Sequence, residues 1–512
     1  MKKNSLNTAV LASLAGIAGI ANISSAVNLN GDGTGQVLIY PYYTVNANNQ
    51  TLLSVVNTTN RGKAVKVRFL EGRNSQEVLD FNLFLSHEDV WTAAVLATSA
   101  TGGGNIVTFD NSCTLPKFVG TTVPFRSSQY QNDTVVALRG IDRTREGHFE
   151  MIEMGEIIPG TTFDDDITHL SDDIPSDCPN ALVAARNPAL MQSTFLRAPT
   201  GGLFGNAAVL NVANGTYINY TATAIDNFWG PVTAAQYSAS SDVQPSLASV
   251  ESNSLVFLNG RVISSTWGPT LLGTQTASGR IDALSALFMS DTLLNEYTTE
   301  SGLNGASEWV ITFPTKRFYV NGTGSTLAFP PFSNAYVGGQ ACESLRFNSW
   351  NREERPDSCL INCDDDFSPP VAGAPPSALC FETNVLTFNQ PGTVFGANGT
   401  STPSKVLGSI LARNITTPAI SAASAAGWTK IEMTNDINPV TGGIRPFRKT
   451  RPSVGAGHQY TGLPALGFWV VSVENNNATP GVKGFYGGAY DHKHGRRCET
   501  GLVAPFGACV NP

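Results

Sequence analysis

Residues 36–96 alternate apolar and polar side chains with a period of two, and this pattern limits the fold more than any other feature of the chain. Val65, Val67 and Phe69 share one face of an extended segment while Lys66 and Arg68 share the other, and Leu79, Phe81, Leu83 and Leu85 alternate with Asp80 and Asn82. Successive side chains of a strand point to opposite faces, so each segment reads as a half-buried strand. The intervening stretches 46–50, 57–62 and 72–75 are short and rich in Asn, Gly, Arg and Ser, which suits antiparallel strands joined by tight turns. The expectation is a mainly β protein of two or more antiparallel, immunoglobulin-like β-sandwich domains with few helices and long disulfide-stapled loops. Trp91, in step with Ala93 and Val95, is the expected anchor of the first core.

The same signals recur downstream. Ala208, Leu210 and Val212 alternate up to Asn214-Gly215, a pair that tolerates positive φ, and residues 217–224 return in extended form, so a hairpin is expected. Leu284, Leu287, Phe288 and Leu294 recur at helical spacing and predict one helix over about 281–297. Around 468–473 both parities are largely apolar, the mark of a strand covered on two sides. At 512 residues the chain exceeds a single core. The expected division is a signal peptide over 1–26, an N-terminal sandwich with an acidic loop over 27–190, and a central β-rich region with the helix over 191–330. A Cys- and Pro-rich inserted loop over 331–385 and a C-terminal β-rich region over 386–512 complete it.

Lys2 and Lys3, an apolar Ala-, Leu- and Ile-rich run and a closing Ser24-Ser25-Ala26 read as a Sec leader; the run is shorter than the roughly twenty residues that span a bilayer. No later segment is long and apolar enough to span as a helix. The expected location is therefore periplasmic, extracellular or cell-surface. Beyond residue 26 there are 30 basic residues against 40 acidic ones, with no basic stripe to neutralise phosphates, so nucleic acid is not an expected partner. Eight cysteines in an exported chain imply disulfides: Cys113, Cys178, Cys342, Cys359, Cys363, Cys380, Cys498 and Cys509. Position pairs Cys113 with Cys178 and Cys498 with Cys509, and leaves two bridges among the central four. A zinc site on those four has no paired C-x-x-C and no well-spaced His to complete it.

Chemistry is sparsely signalled. Asp164, Asp165, Asp166, Asp172 and Asp173 form a carboxylate-rich stretch, a candidate for calcium, which takes six to eight oxygens; a solvated acidic loop competes with that reading. His492 and His494, two apart, suit a shared transition metal if they lie on one strand. His148 lies among Glu146, Glu150 and Glu153, the setting of a general base or of a sheet-surface ion pair. Tyr40, Tyr42, Tyr43, Trp229, Trp267 and Trp350 are candidates for stacking on sugar rings, as well as for core filling. There is no G-x-S-x-G, H-E-x-x-H, P-loop or G-x-G-x-x-G run, so no hydrolase, metalloprotease or nucleotide-binding signature is present and no catalytic residue is assigned.

GQVLIYPYYTV at 35–45, NTT at 57–59, KAVKVRFLEG at 63–72, EVLDFNLFLS at 77–86 and DVWTAAV at 89–95 resemble the N-terminal signature of a largely uncharacterised family of secreted Gram-negative bacterial proteins. EGHFEMIEMGE at 146–156 and SEWVITFPTKRFYV at 307–320 resemble its later blocks. A looser likeness, in size, acidity and β content, is to surface-layer proteins. The resemblance brings no catalytic residues with it. The leader, the cysteines, the low charge density, the acidity and the missing catalytic motifs together lead to the expectation of a noncatalytic extracellular or cell-surface structural or interaction protein of a Gram-negative bacterium, whose partner is itself, as in a self-assembling layer, or a surface glycan such as lipopolysaccharide. The alternative is a secreted carbohydrate-binding or carbohydrate-active protein. If all eight cysteines are bridged, alkylation of the unreduced, denatured protein labels none of them, which intact mass reads directly; eight labelled thiols would refute the disulfide framework.

Overall fold

The computed structural model describes residues 26–509 except 259, 273–274, 278, 321–327, 354–377, 390–402, 416–425, 435, 438–443, 446–447, 480–481 and 501–506. Residues 1–25, the Pro-rich run and the Cys359 and Cys363 thiols lie outside the described residues, and with them the leader expected over 1–26 except for Ala26. The protein is mainly β, in several antiparallel sheets.

The first sandwich pairs two sheets. One has ten strands, with neighbours in the order Arg261–Thr266, Asn253–Leu258, Val27–Leu29, Thr223–Asp226, Val37–Thr44, Glu146–Ile157, Lys63–Glu71, Glu77–Leu85 and Cys113–Leu115, and Leu196–Arg197 added alongside Glu146–Ile157. The other runs Thr216–Thr221, Leu203–Asn211, Gln50–Asn57, Val90–Ala97, Gly104–Val107, Val123–Pro124. Between them lie Val65, Val67 and Phe69 from the larger sheet and Leu53, Val55 and Trp91 from the smaller, all buried. Trp91 is fully buried, as its parity required. Tyr40 stacks on Phe149 at 4.1 Å, and Phe149 on Phe69 at 4.8 Å, a column of rings at the centre of this core.

A second pair of sheets completes the molecule. Five strands run in the order Ala412–Ile415, Thr383–Phe388, Ala306–Thr312, Leu466–Thr479, Val482–Asp491, and four in the order Arg346–Asn351, Ala426–Glu432, Thr292–Thr298, Lys493–Gly495. The five-stranded sheet has no polar face. Val310, Val385, Phe468 and Val470 pack into the first core, where Phe468 stacks on Tyr220 at 4.6 Å. Trp309, Ile311, Leu386 and Trp469 pack the other way, against Leu293, Tyr297 and Ile431 of the four-stranded sheet. The two-sided apolar pattern at 468–473 is explained by this position.

Three expectations are corrected. The strand Lys63–Glu71 is not half-buried but buried along its whole length, because later parts of the chain cover the face that carries Lys66 and Arg68. The helix expected over 281–297 is Gly279–Phe288; Met289–Ser290 and Thr292–Thr298 are strands. Leu293 and Tyr297 are four residues apart, a spacing that satisfies period two as well as period 3.6, and pairing of Thr292–Thr298 with Ala426–Glu432 settles it as strand. Thr134 to Leu138, which also reads as a strand in the sequence, holds instead the short 3-10 helix Val136–Arg139. The hairpin forms as read, Leu203–Asn211 with Thr216–Thr221, and Gly215 takes a φ of +69°. The bridges Cys113–Cys178 and Cys498–Cys509 stand where position placed them, and Cys342 pairs with Cys380.

Gly205, on the strand Leu203–Asn211, lies under the Tyr40 hydroxyl, which donates to the Ser54 carbonyl at 2.7 Å. A methyl group there meets the phenol oxygen and the Ser54 carbonyl, both fixed by the core. Gly205→Ala is expected to destabilise the protein by about 1–3 kcal/mol, read as a lower midpoint in urea without a changed slope.

Candidate functional site

The five acidic candidates do not converge. Asp164 and Asp165 lie in the first turn of the helix Thr162–Ile167, where carboxylates favour the helix dipole. Asp164 accepts the Gly160 N–H at 2.9 Å, Asp166 accepts the Asn180 amide at 2.7 Å, Asp172 accepts the Ile174 N–H at 3.3 Å, and Asp173 takes a turn conformation with φ +61°. Asp177, nearby, caps the helix Cys178–Ala185 through the Asn180 N–H. These carboxylates work as local capping groups, and among the described residues no three His, Cys, Asp or Glu side chains gather as a metal set.

The histidines are buried and apart in their bonding. His492 bonds the Val310 carbonyl through Nε2 at 2.9 Å, and His494 bonds the Ser290 hydroxyl through Nδ1 at 2.8 Å. Burial lowers His492 to about 4 and, with Arg496 beside it, His494 to about 3, so both are neutral at neutral pH. His148 is fully buried with Nδ1 3.3 Å from the Thr383 hydroxyl; Glu150, its expected neighbour in charge, is paired instead with Arg68 at 2.5 Å. An imidazole so enclosed is a packing group, not an exposed base.

What the structure brings together is a buried ionic seam along the covered face and ends of the strands Lys63–Glu71 and Glu146–Ile157. Glu71 accepts Nε of Arg143 at 2.7 Å and the N–H groups of Arg73, Asn74 and Gln76 at 2.8, 3.1 and 3.0 Å. Burial alone would raise the Glu71 carboxyl, but Arg143 and these donors outweigh it and hold it below the ordinary carboxylate range. Arg143 continues to Asp133 at 2.9 Å. Glu146 accepts the Tyr42 hydroxyl at 3.0 Å and the Ile410 N–H at 2.8 Å, and Glu308 accepts the Val406 and Leu407 N–H groups at 2.7 and 2.9 Å. Glu382 takes the Ser75 hydroxyl at 2.7 Å, and Arg317 reaches the Ser75 carbonyl at 2.8 Å. Lys66 and Arg68 pair with Asp80 and Glu150 on the covered face, and Lys63 pairs with Glu153 at the end of the strand. Sequence reading passed over Glu71 and Glu308, although each shares the parity of core residues, Phe69 and Val310, and a carboxylate at such a position needs a buried partner.

Tyr40, Tyr42 and Tyr43 belong to the first core, with their hydroxyls bonded to Ser54, Glu146 and Thr144. Trp229 and Trp267 are buried, their indole N–H groups bonded to the Glu153 carbonyl at 2.7 Å and the Ser254 hydroxyl at 2.8 Å. A surface groove of about 660 Å³ opens beside Trp229 and is lined by Gln236, Gln244, Glu251 and Arg280 among others. Among its described lining residues Glu251 is the only acid, whereas glycoside hydrolysis by acid and nucleophile or base needs two facing carboxylates. Comparison with family models, curated proteins and solved structures returned no match to this chain.

Burial, with Arg317 next, lowers His148 to about 3, against about 6.5 for a free imidazole. Between those values the unfolded chain holds the proton and the folded chain does not, so the histidine's contribution is complete above pH 6.5 and is lost as the pH falls towards 3. His148→Gln is therefore expected to unfold at a lower temperature than the wild type near neutral pH, with the gap closing towards about pH 5. A gap independent of pH in thermal unfolding would contradict a buried neutral His148.

Proposed function

We propose that this chain is a noncatalytic structural or interaction protein exported by a Gram-negative bacterium and held at the cell surface, with self-assembly into a surface layer as its working form. The observation that carries the proposal is the seam. The interior acids and bases that would serve as catalysts are committed to one another within each sandwich, and Glu146 with Ile410, Glu382 with Ser75 and Arg317 with Ser75 join one sandwich to the other. The groove beside Trp229 offers, among its described lining residues, Glu251 alone as an acid. The leader-like start, the bridged cysteines and the net acidity of the sequence support export, and the resemblance to secreted Gram-negative proteins supports the same setting.

Cell fractionation followed by native size analysis tests the proposal. The expected result is a cell-bound pool of the mature protein, released as species much larger than one chain. Mature protein found wholly in the medium as monomer would refute the layer, and a cytoplasmic pool without leader cleavage would refute export.

A further inference from the structure

Of the three tryptophans among the stacking candidates, Trp350 differs from the other two. It lies on the strand Arg346–Asn351 at the edge of the four-stranded sheet, directly across from Trp428 on Ala426–Glu432. The two indoles stack at 4.2 Å with 13° between their planes. Trp428 keeps 39% of its surface exposed, and Trp350 is half-buried. Neither side chain belongs to the core beneath, which is filled by Tyr297, Leu293 and Ile431 from the opposite parity of the same sheet. The pair therefore stands on the outward face, and that face is ordered: Trp428 has Trp350 across from it on one side and the exposed Glu296 on the other.

The next two rows of the same face are mainly polar, with Leu294 beside Lys430 and Thr292 beside Glu432. Lys430 stands across from Asn348, and Glu432 across from the exposed Arg346. Lys430 bonds Glu432 at 2.7 Å, Asn348 donates to the same carboxylate at 3.3 Å, and the Lys430 ammonium lies 6.0 Å from the Trp350 ring centre. An aromatic platform bordered by fixed donors and acceptors is the chemistry that recognises a pyranose ring: the apolar C–H face of the sugar stacks on the indole, and its equatorial hydroxyls meet carboxylate, amide and ammonium groups. The apolar area of this face is the ring pair with Leu294 one row away, closer to the width of a sugar ring than to the apolar core of a protein interface. The charges on this face are Arg346, Lys430 and Lys493 against Glu296 and Glu432, three against two, a near balance that complements a neutral ligand rather than a strongly charged one.

We infer that the Trp350–Trp428 platform binds neutral hexopyranose chains, with Trp428 as the stacking surface and Glu296, Asn348, Lys430 and Glu432 as the hydroxyl-bonding rim. This goes beyond the structural role above and does not depend on it, because it is read on the purified protein wherever that protein resides. Affinity electrophoresis of the full chain through gels containing dextran, laminarin or hydroxyethylcellulose tests it, with Tyr217→Ala, an exposed aromatic of the first sandwich, as control. Retardation by at least one of these glycans is expected, weakened by about tenfold in Trp428→Ala and in Trp350→Ala and unchanged in Tyr217→Ala. Wild-type protein retarded by none of the three, or a Trp428→Ala protein retarded like the wild type, overturns the inference. If the tryptophan variants fail to fold, Glu296→Gln carries the test: it leaves both rings in place and is expected to weaken retardation, and unchanged retardation overturns the assignment.

Discussion

The ion pair between Glu71 and Arg143 shows on what terms the rest of the fold holds together. A buried carboxylate loses its water, and the loss is offset only when donors replace that water completely; at Glu71 a guanidinium and three backbone N–H groups do so. The same arrangement recurs at Glu146, Glu308 and Glu343, each of which accepts backbone N–H groups from a segment distant from its own strand. Neutral partners of the same shape would pack as well. Their cost would be specificity, because a carboxylate that must find its N–H groups accepts one register of the covering segment and no other.

This explains why a chain with so few charges spends many of them inside. Lys66 and Arg68 sit at positions that would face water in an isolated sandwich, and Lys63 stands at the end of the same strand. Here other segments cover them, Lys63 meeting Thr200 and Lys66 the 239–240 segment, and each is matched: Lys63 with Glu153, Lys66 with Asp80 and two backbone carbonyls, Arg68 with Glu77 and Glu150. Burial raises the Glu150 and Glu153 carboxyls while the neighbouring cations pull them back, so the pairs depend on being made together. Removing one member leaves its partner charged and dry, which is far more disruptive than losing a surface pair.

Local pattern made the sheets legible and tertiary covering hid the rest. The alternation at 65–69 and 79–85, the turn at Asn214-Gly215 and the two-sided apolar run at 468–473 each act within one or two strands, and each reads through to the structure. What lies on the far side of a strand is set by residues hundreds of positions away, such as Thr383 beside His148 or Leu411 beside Glu146, and no window of sequence holds that information. The helix failed at the point where Leu293 and Tyr297 fit two periods equally. The aromatic candidates divided for a similar reason: Trp229, Trp267 and Trp350 look alike in sequence, and only the packing around them decides that two are core and one stands on a sheet face. The acidic stretch was legible as composition, but its role as a series of caps depends on which N–H groups happen to be unsatisfied nearby.

The five-stranded sheet has a consequence for how this molecule carries load. Thr312, on one of its central strands, donates to the Pro41 carbonyl of the first sandwich at 2.6 Å, while Trp309 on the same strand donates to the Glu296 carbonyl of the four-stranded sheet at 2.9 Å. One strand thus grips both neighbours with alternate residues, as a rivet passes through two plates. Tension applied across the molecule would therefore load a sheet that, among the described residues, is clamped on both faces.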